Sequence, residues 1–402
     1  MGIFERFDVI KGGNIMIIKN AKIYGEQKLD IKIEDGKITQ IANDLNDDEQ
    51  IVDIEGKTLL PSFIDLNVRL LDNEFSIDRL YDLEKACLKG GVGTIVLKDS
   101  LEANTQGYAL YFDKLKSLDI NVLPTIDVLD KTEKLKNIAT LIDMGAKGLE
   151  LSSTLGANYL RQCMQYASMK SSPIFLKCFD ESFDDHGVMN DSKMSFELGL
   201  IGISDIAETS EVAKMKELVE FYGNNACFGA LGVIKSFELL ENYQSEISIH
   251  HLIKDENACE NFNTYAKILP PLRSKNELSY LIKMLQKGKI AFLTSLHTPS
   301  TKKDLAFDEA DFGTDTIAMY MSLCFTYLVK ENILTWKELC DFTSYNQAQF
   351  LGLNKGKIAI GFDADFVVFD ENISCSGCEL YKDDKLEGQV IQHFINGKNL
   401  SL

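Results

Sequence analysis

The sequence lacks any apolar stretch of the roughly 18 residues that a membrane-spanning helix requires. Its first residues, 1–14, also lack the apolar run of a secretory signal peptide. Together, these two absences predict a cytoplasmic protein rather than a membrane-embedded or exported one.

A disulfide framework is missing as well. The chain has nine cysteines, but they are scattered along its length. An odd number of scattered cysteines in a chain without an export signal favours free thiols. The one close pair, Cys375 and Cys378, has no second pair and no neighbouring histidine, so it is a weak zinc signal.

Positive charge is scarce, because 42 Lys and Arg residues stand against 61 Asp and Glu residues, for a formal net charge of −19. The long-range field of such a protein repels nucleic acid and anionic lipid, which argues against both as partners. What the chain does contain is ordinary globular composition, with 45% hydrophobic and 26% charged residues over 402 positions. That length is sufficient for a barrel of about 250 residues with additional elements.

Both ends of the chain alternate apolar and polar side chains, which predicts half-buried antiparallel strands. Between them, short β-rich runs alternate with amphipathic helical stretches, the pattern of βα units around a parallel sheet. The strand candidates in this middle part are residues 94–97, 121–128, 148–151, 173–178 and 290–295. The helix candidates include residues 77–89, 159–168, 208–222, 276–287 and 335–345.

We therefore predict an α/β protein in which a (β/α)8 barrel over residues 63–354 stands beside a small composite β-sandwich. The sandwich is expected to combine residues 16–62 with residues 355–402. Residues 1–15 fit neither unit, and we expect them to form an extension.

Several motifs resemble those of cyclic amidohydrolases and follow one another in family order. Residues 56–65 (GKTLLPSFID) resemble the G-x-x-x-x-P-G-x-I-D entry into the first barrel strand. Further segments resemble dihydroorotase motifs. Residues 202–208 resemble G-x-P-x-x-A-E, residues 250–252 resemble P-H-H-L, and residues 267–273 resemble K-x-x-P-P-L-R. Residues 346–353 are similar to N-P-A-x-x-L-G-L, and residues 361–370 to the G-x-D-A-D-x-V-x-x-D that follows it. The resemblance extends from residue 16 to residue 402 and is to the larger, bacterial type I dihydroorotases.

Resemblance to dihydroorotases implies an amidohydrolase-type barrel and a reaction that interconverts carbamoyl aspartate and dihydroorotate. The family uses one or two zinc ions, which generate hydroxide at neutral pH. Such ions need imidazole and carboxylate ligands that converge at the carboxyl ends of the barrel strands.

The positions that match the family's metal ligands carry other side chains. Where the family has D-x-H-x-H in the first strand, this chain has Asn67 and Arg69 after Asp65. An amide is a poor zinc ligand, and a guanidinium has no lone pair for a cation. The remaining ligand positions align with Ser152, Lys177, Gly232 and Leu296. Glu150 is an alternative to Ser152 if the alignment slips, and we expect no zinc cofactor.

The substrate-binding positions of the family have changed too. Its carboxylate-gripping arginine falls at Leu71, its asparagine at Ser100 and its last histidine at Ser300. The surviving histidines could build a different metal site, but structural roles are the stronger interpretation. His250 and His251 are adjacent in a loop, where neighbours rarely bind one ion.

Cationic side chains suggest a further interpretation of the barrel mouth. Arg69 and Lys177 replace metal ligands and Lys98 ends the second barrel strand, so three positive charges could face one cavity. Such a cavity would attract a carboxylate or a phosphate. In the alternative interpretation, a neighbouring carboxylate of Asp65, Asp99 or Glu150 pairs with these side chains and fills the barrel. This interpretation is favoured because burying an unpaired charge is costly.

The function predicted from these features is that of a non-catalytic dihydroorotase-like protein of pyrimidine biosynthesis. Inactive dihydroorotase-like chains in bacteria assemble with aspartate carbamoyltransferase, so the resemblance implies that enzyme as a partner in a homo- or hetero-oligomer. One alternative is a divergent amidohydrolase that hydrolyses cyclic amides at a rebuilt or metal-free site, with Glu150, Asp65 and Lys177 as acid, base and electrostatic candidates. Another is an anion-binding sensor that uses Arg69, Lys98 and Lys177.

Overall fold

A computed structural model describes residues 15–46, 50–98, 101–400 and 402 of the chain. The predicted extension at residues 1–15 therefore lies almost entirely outside the described residues, and Asp99 and Ser100 lie outside them as well. Within the described ranges, no helix combines the length and the apolar character needed to cross a membrane.

Strands are distributed over the whole described chain. In order they are β1 (Ile15–Ile23), β2 (Lys28–Glu34), β3 (Lys37–Ala42), β4 (Gln50–Asp53), β5 (Thr58–Pro61), β6 (Phe63–Val68), β7 (Val92–Leu97), β8 (Asn121–Asp127), β9 (Gly148–Ser152), β10 (Ile174–Lys177), β11 (Met189–Asn190), β12 (Gly202–Ile203), β13 (Ala226–Gly229), β14 (Gln244–Ser248), β15 (Phe292–Thr294), β16 (Phe366–Ser376), β17 (Lys385–Ile395) and β18 (Lys398–Leu400).

The α-helices lie between the strands of the middle part. In order they are α1 (Ile77–Lys89), α2 (Thr105–Lys116), α3 (Ile138–Met144), α4 (Ala157–Lys170), α5 (Lys193–Leu198), α6 (Ile206–Tyr222), α7 (Ile234–Leu239), α8 (His250–Ile253), α9 (Lys275–Gln286), α10 (Tyr320–Cys324), α11 (Trp336–Cys340) and α12 (Asn346–Leu351).

The β-sandwich is built from both ends of the chain, as predicted. Its strands follow the order β18-β17-β16-β5-β1-β2-β3, with β4 paired to β1. The long antiparallel pair of β16 and β17 contacts the N-terminal strands through β5. Alternate side chains of these strands, among them Ile18, Ile31, Phe366 and Phe394, form a buried core of their own.

The barrel consists of parallel strands in the order β6-β7-β8-β9-β10-β13-β14-β15. After β15 the chain returns to β6, where Val68 bridges His297 and the backbone N–H of Arg69 donates to the His297 carbonyl at 2.9 Å. This contact nearly closes the barrel and confirms the predicted α/β architecture. The carboxyl ends of the strands consequently converge on one mouth, where barrels of this kind carry their functional groups.

Local sequence explains why the outer helices begin and end where they do. The side chain of Ser76 caps α1 by accepting a hydrogen bond from the N–H of Arg79, and Leu80, Leu83 and Cys87 face the barrel core. The helix predicted at 335–345 is confirmed: Thr335 caps α11, and a five-residue π-helical turn, Asp341–Tyr345, continues it into α12.

Candidate functional site at the barrel mouth

A cavity of about 230 Å³ opens at the carboxyl ends of the barrel strands. Most of its polar lining comes from different strands or the turns that follow them, Glu208 comes from α6, and its walls are largely apolar. The lining residues are Asn67, Arg69, Lys98, Glu150, Leu176, Lys177, Cys178, Phe179, Glu208, Gly229, Ala230, Leu269, Pro270, Leu296, Thr298, Phe312 and Gly313. It is thus the place where the family's ligand positions were expected.

The first barrel strand directs Asp65, Asn67 and Arg69 to the same side, because alternate residues of a strand share one face. Asp65 lies at the floor and is fully buried. Its two carboxylate oxygens accept the backbone N–H groups of Asn67 and Ser295, each at 2.9 Å. Burial raises the pKa of Asp65 to about 6, although these hydrogen bonds favour the charged form.

Asn67 is held by a carboxylate that the sequence analysis did not identify. The Asn67 amide donates to Glu246 at 2.7 Å, and the hydroxyl of Thr294 donates to the same oxygen at 2.9 Å. Glu246 is fully buried in the middle of β14. Its sequence signal is a single carboxylate among residues 244–248, a strand with too few apolar side chains to be recognised as one.

Arg69 forms an ion pair with Glu150 across the cavity, with 2.5 Å between guanidinium nitrogen and carboxylate oxygen. A second guanidinium nitrogen donates to the Lys98 carbonyl at 3.2 Å. Burial alone would raise the pKa of Glu150, but the positive charges of Arg69, Lys98 and Lys177 outweigh it and lower that pKa. All three predicted cations therefore surround one carboxylate.

Lys98 and Lys177 occupy different depths of this cavity. Lys98 follows β7 and is only 4% exposed, with its ammonium 5.8 Å from the centre of the Phe175 ring. Lys177 is the last residue of β10 and is exposed. Neither ammonium forms an ion pair of 4.0 Å or less with another described residue, whereas Arg69 does.

The end of β13 brings Gly229 and Ala230 to the cavity, and Gly229 pairs in register with Lys177. Gly232, which the sequence analysis assigned to the family's ligand position, does not line the cavity. Gly232 lies beyond the strand end, where its N–H donates to Glu208 at 3.0 Å. Neither glycine supplies a ligand.

Ser152 and Leu296, which also stand at positions of the family's metal ligands, lie beside the barrel mouth. Ser152 shares the inward face of β9 with Glu150, but its hydroxyl pairs with that of Thr154 at 2.8 Å. Glu150 is therefore the β9 carboxylate that reaches the cavity. Leu296 lines the cavity with an apolar side chain and has a left-handed φ of 49°, which is unusual for a bulky residue.

Histidines do not replace the missing ligands in this cavity. His250 bonds to the Tyr381 hydroxyl at 2.7 Å, and His251 bonds to the Ser248 hydroxyl at 2.8 Å. His297 accepts the backbone N–H groups of Thr316 and Ile317. Burial lowers the pKa of His250 to about 3 and those of His251 and His297 to about 4. Each ring thus has a structural role as a neutral imidazole.

The donor set does not fit the zinc ions that the family uses. Two of the side chains at the ligand positions are cationic, and the remainder offer an amide, a hydroxyl, no side chain or a leucine. Over the residues that the structure describes, no group of three or more His, Cys, Asp or Glu side chains is arranged to hold a metal ion.

Comparisons with known proteins point to the same family that the sequence motifs resemble. The Amidohydrolase family model matches residues 203–400. A dihydroorotase of Acetivibrio thermocellus is 28% identical over 420 aligned positions, which cover 97% of each chain. The chain is thus similar to dihydroorotases over nearly its whole length, and its second half matches the amidohydrolase family model. A probable dihydroorotase-like protein of Helicobacter pylori strain J99 is also 28% identical, over 95% of this chain and 97% of that protein.

Solved structures show the same fold as this dihydroorotase-like chain. An L-hydantoinase from Arthrobacter aurescens superposes with a TM-score of 0.81 at 17% identity, and 96% of each chain is covered. A D-hydantoinase superposes with a TM-score of 0.79 at 19% identity, covering 96% of this chain and 95% of that one. The barrel and its composite sandwich thus share the fold of these hydantoinases.

Proposed function

We propose that this dihydroorotase-like chain is a non-catalytic protein of pyrimidine biosynthesis that acts as a structural or regulatory partner of aspartate carbamoyltransferase. One observation carries the non-catalytic part. The Arg69 guanidinium stands where the family has a metal-binding imidazole, and it is paired with Glu150 at 2.5 Å. A cation held at this point repels a metal ion and occupies the carboxylate that could have bound one.

An outer surface of the barrel supports a role in assembly. Met169 near the end of α4 is 78% exposed and Phe221 near the end of α6 is 80% exposed. Tyr166 and Tyr222 lie beside them, and the Phe221 and Tyr222 rings are 4.9 Å apart. We call these four residues the α4–α6 patch. Exposed large apolar side chains that cluster in this way are typical of protein contact sites.

The partnership is tested by size-exclusion chromatography of this chain mixed with the aspartate carbamoyltransferase of the same organism. We expect one peak that contains both chains. The double variant M169D/F221D should abolish co-elution, because two charges would be buried unpaired at the contact. A matched control is K131D, which adds acidic charge at an exposed site outside the patch. Two separate peaks for the wild-type mixture would contradict the partnership.

An enzymatic alternative would use Glu150, Asp65 and Lys177 without metal. Both oxygens of Asp65 already accept backbone hydrogen bonds, and Glu150 is engaged by Arg69, so neither carboxylate is free to move a substrate proton. We therefore expect no hydrolysis of dihydroorotate by the purified chain. Turnover that is lost in K177M would support the enzyme instead.

A further inference from the structure

We propose that the barrel mouth binds a small organic carboxylate between the ammonium groups of Lys98 and Lys177. This ligand site goes beyond the proposed structural role and does not depend on the partner enzyme. The site lies where the family carries metal cations, but its two lysines would attract an anion. The inference rests on unbalanced charge, on the engagement of the nearby acids and on the chemistry of the walls.

The first step concerns charge balance around Glu150. Three cationic side chains surround this carboxylate, and only Arg69 forms an ion pair with it. Only 4% of Lys98 is exposed. Its ammonium has no hydrogen-bond or ion-pair partner among the described residues. A buried ammonium without a partner is costly. An anion from solution would remove that cost.

The second step concerns the other acidic groups near the cavity. Asn67 and Thr294 both donate to one carboxylate oxygen of Glu246. The other oxygen accepts only the Cys227 thiol, at 3.9 Å, and lies near Lys98 without an ion pair of 4.0 Å or less. Asp65 accepts two backbone N–H groups at the floor. Asp65 is satisfied by its own donors, whereas the second oxygen of Glu246 offsets part of the Lys98 charge. These acids therefore reduce the positive potential without forming an ion pair with either lysine.

Glu208 is the remaining acid in the lining. It accepts the backbone N–H groups of Gly232 and Val233 at 3.0 Å each, and the Arg273 guanidinium lies 3.9 Å away. Its charge is therefore offset by these N–H groups and in part by Arg273, which also pairs with Asp205 at 2.9 Å. Lys98 and Lys177 are left as the cationic groups available to a ligand.

The third step concerns the kind of anion. Leu176, Leu269, Pro270, Leu296 and Phe312 form apolar walls around the lysines. Such walls offer no donors to the several oxygens of a phosphate, but they pack well against a hydrocarbon body. A volume of about 230 Å³ lies just below the range of drug-sized pockets and fits a small metabolite. The cavity therefore suits an organic carboxylate better than inorganic phosphate.

The test is isothermal titration calorimetry of the full chain with succinate, and with its neutral analogue succinamide as the ligand control. We expect succinate to bind at millimolar concentration or below and succinamide not to bind. K98M and K177M should each weaken succinate binding at least tenfold. The control K131M removes a lysine charge outside the cavity and should leave the affinity unchanged.

A variant that is expected to strengthen binding separates an effect on affinity from a folding defect. E150Q removes the competing carboxylate and frees Arg69, so it should strengthen succinate binding several-fold. If K98M fails to fold, K177M and E150Q still decide the question. Equal affinity of wild type and all three cavity variants, binding of succinamide, or tighter binding of phosphate than of succinate would each overturn the proposal.

Discussion

The guanidinium of Arg69 and the carboxylate of Glu150 meet at 2.5 Å inside the barrel mouth, although the two residues are 81 positions apart in the chain. Their side chains are 26% and 15% exposed, so the pair is neither a surface contact nor fully desolvated. A protein cation and a protein anion thus occupy the region in which related barrels gather metal ligands. The consequences of this substitution can be measured.

The Arg69–Glu150 pair should contribute to stability as a unit. In a double-mutant cycle of R69M and E150Q, we expect a coupling free energy of about 1–2 kcal/mol, between the values typical of surface pairs and of buried pairs. Urea unfolding of the four proteins measures it. The exposed helical pair Lys193–Glu197, 3.1 Å apart, is the control and should couple by roughly 0.3–0.5 kcal/mol. A coupling no larger than the control would show that the pair is incidental.

The buried histidines should make the fold sensitive to acid. Burial lowers the pKa of His250 to about 3 and the pKa values of His251, His297 and His393 to about 4, below the ordinary value of 6.5. A lowered folded-state pKa means that stability is present above the unfolded pKa and is lost as pH falls. Each histidine should cost about 2 kcal/mol between pH 7 and pH 5.

Urea midpoints at pH 7, 6 and 5 measure the loss, and calorimetry in two buffers counts the protons that are taken up on unfolding. The exposed His186 supplies a control for the substitution itself, since H186Q should leave the urea midpoint at pH 7 unchanged. Stability that stays constant down to pH 5 would mean that the four buried rings are already protonated in the folded protein.

Asp65 should stabilise the fold as the pH falls, in contrast to the buried histidines. Burial raises its pKa from 3.8 to about 6, so the folded state binds this proton more tightly than the unfolded state does. Its contribution to stability is therefore largest below the unfolded value and is lost as pH rises through about 6. Relative to D65N, the wild type should gain about 1 kcal/mol between pH 7 and pH 5.

The measurement is the difference in unfolding free energy between wild type and D65N at the two pH values, with D113N as an exposed control. If D65N does not fold, the carboxyl carbon signal of Asp65 in labelled wild-type protein gives the pKa directly. A midpoint near 4 would contradict the assignment of Asp65 as a desolvated acid.

Much of the fold follows from local patterns in the sequence. Helix α1 begins and ends at the predicted residues because a serine caps it and its apolar spacing is regular. Strands β13 and β14 were not predicted, because one has four residues and the other contains Gln244, Ser245 and Glu246. Their burial is imposed by the neighbouring strands, which a local pattern does not reveal.

The site was predictable only where side-chain identity fixes the alignment. The alternation of Asp65, Asn67 and Arg69 placed them on one strand face, and the structure has them there. The pairing of Arg69 with Glu150 was one of two alternatives, because which carboxylate reaches a cation depends on the closed barrel. Gly232, predicted at the ligand position of β13, lies beyond the strand end, which the sequence could not reveal because β13 itself was not predicted.

The central claim is that cations have replaced the metal at the barrel mouth. Anomalous diffraction at the zinc absorption edge, from crystals grown with added zinc, tests it most directly because it locates any bound ion. We expect no anomalous peak within bonding distance of Asn67, Arg69, Glu150, Lys177 or Gly229. A peak at that position, with Arg69 displaced from Glu150, would contradict the claim.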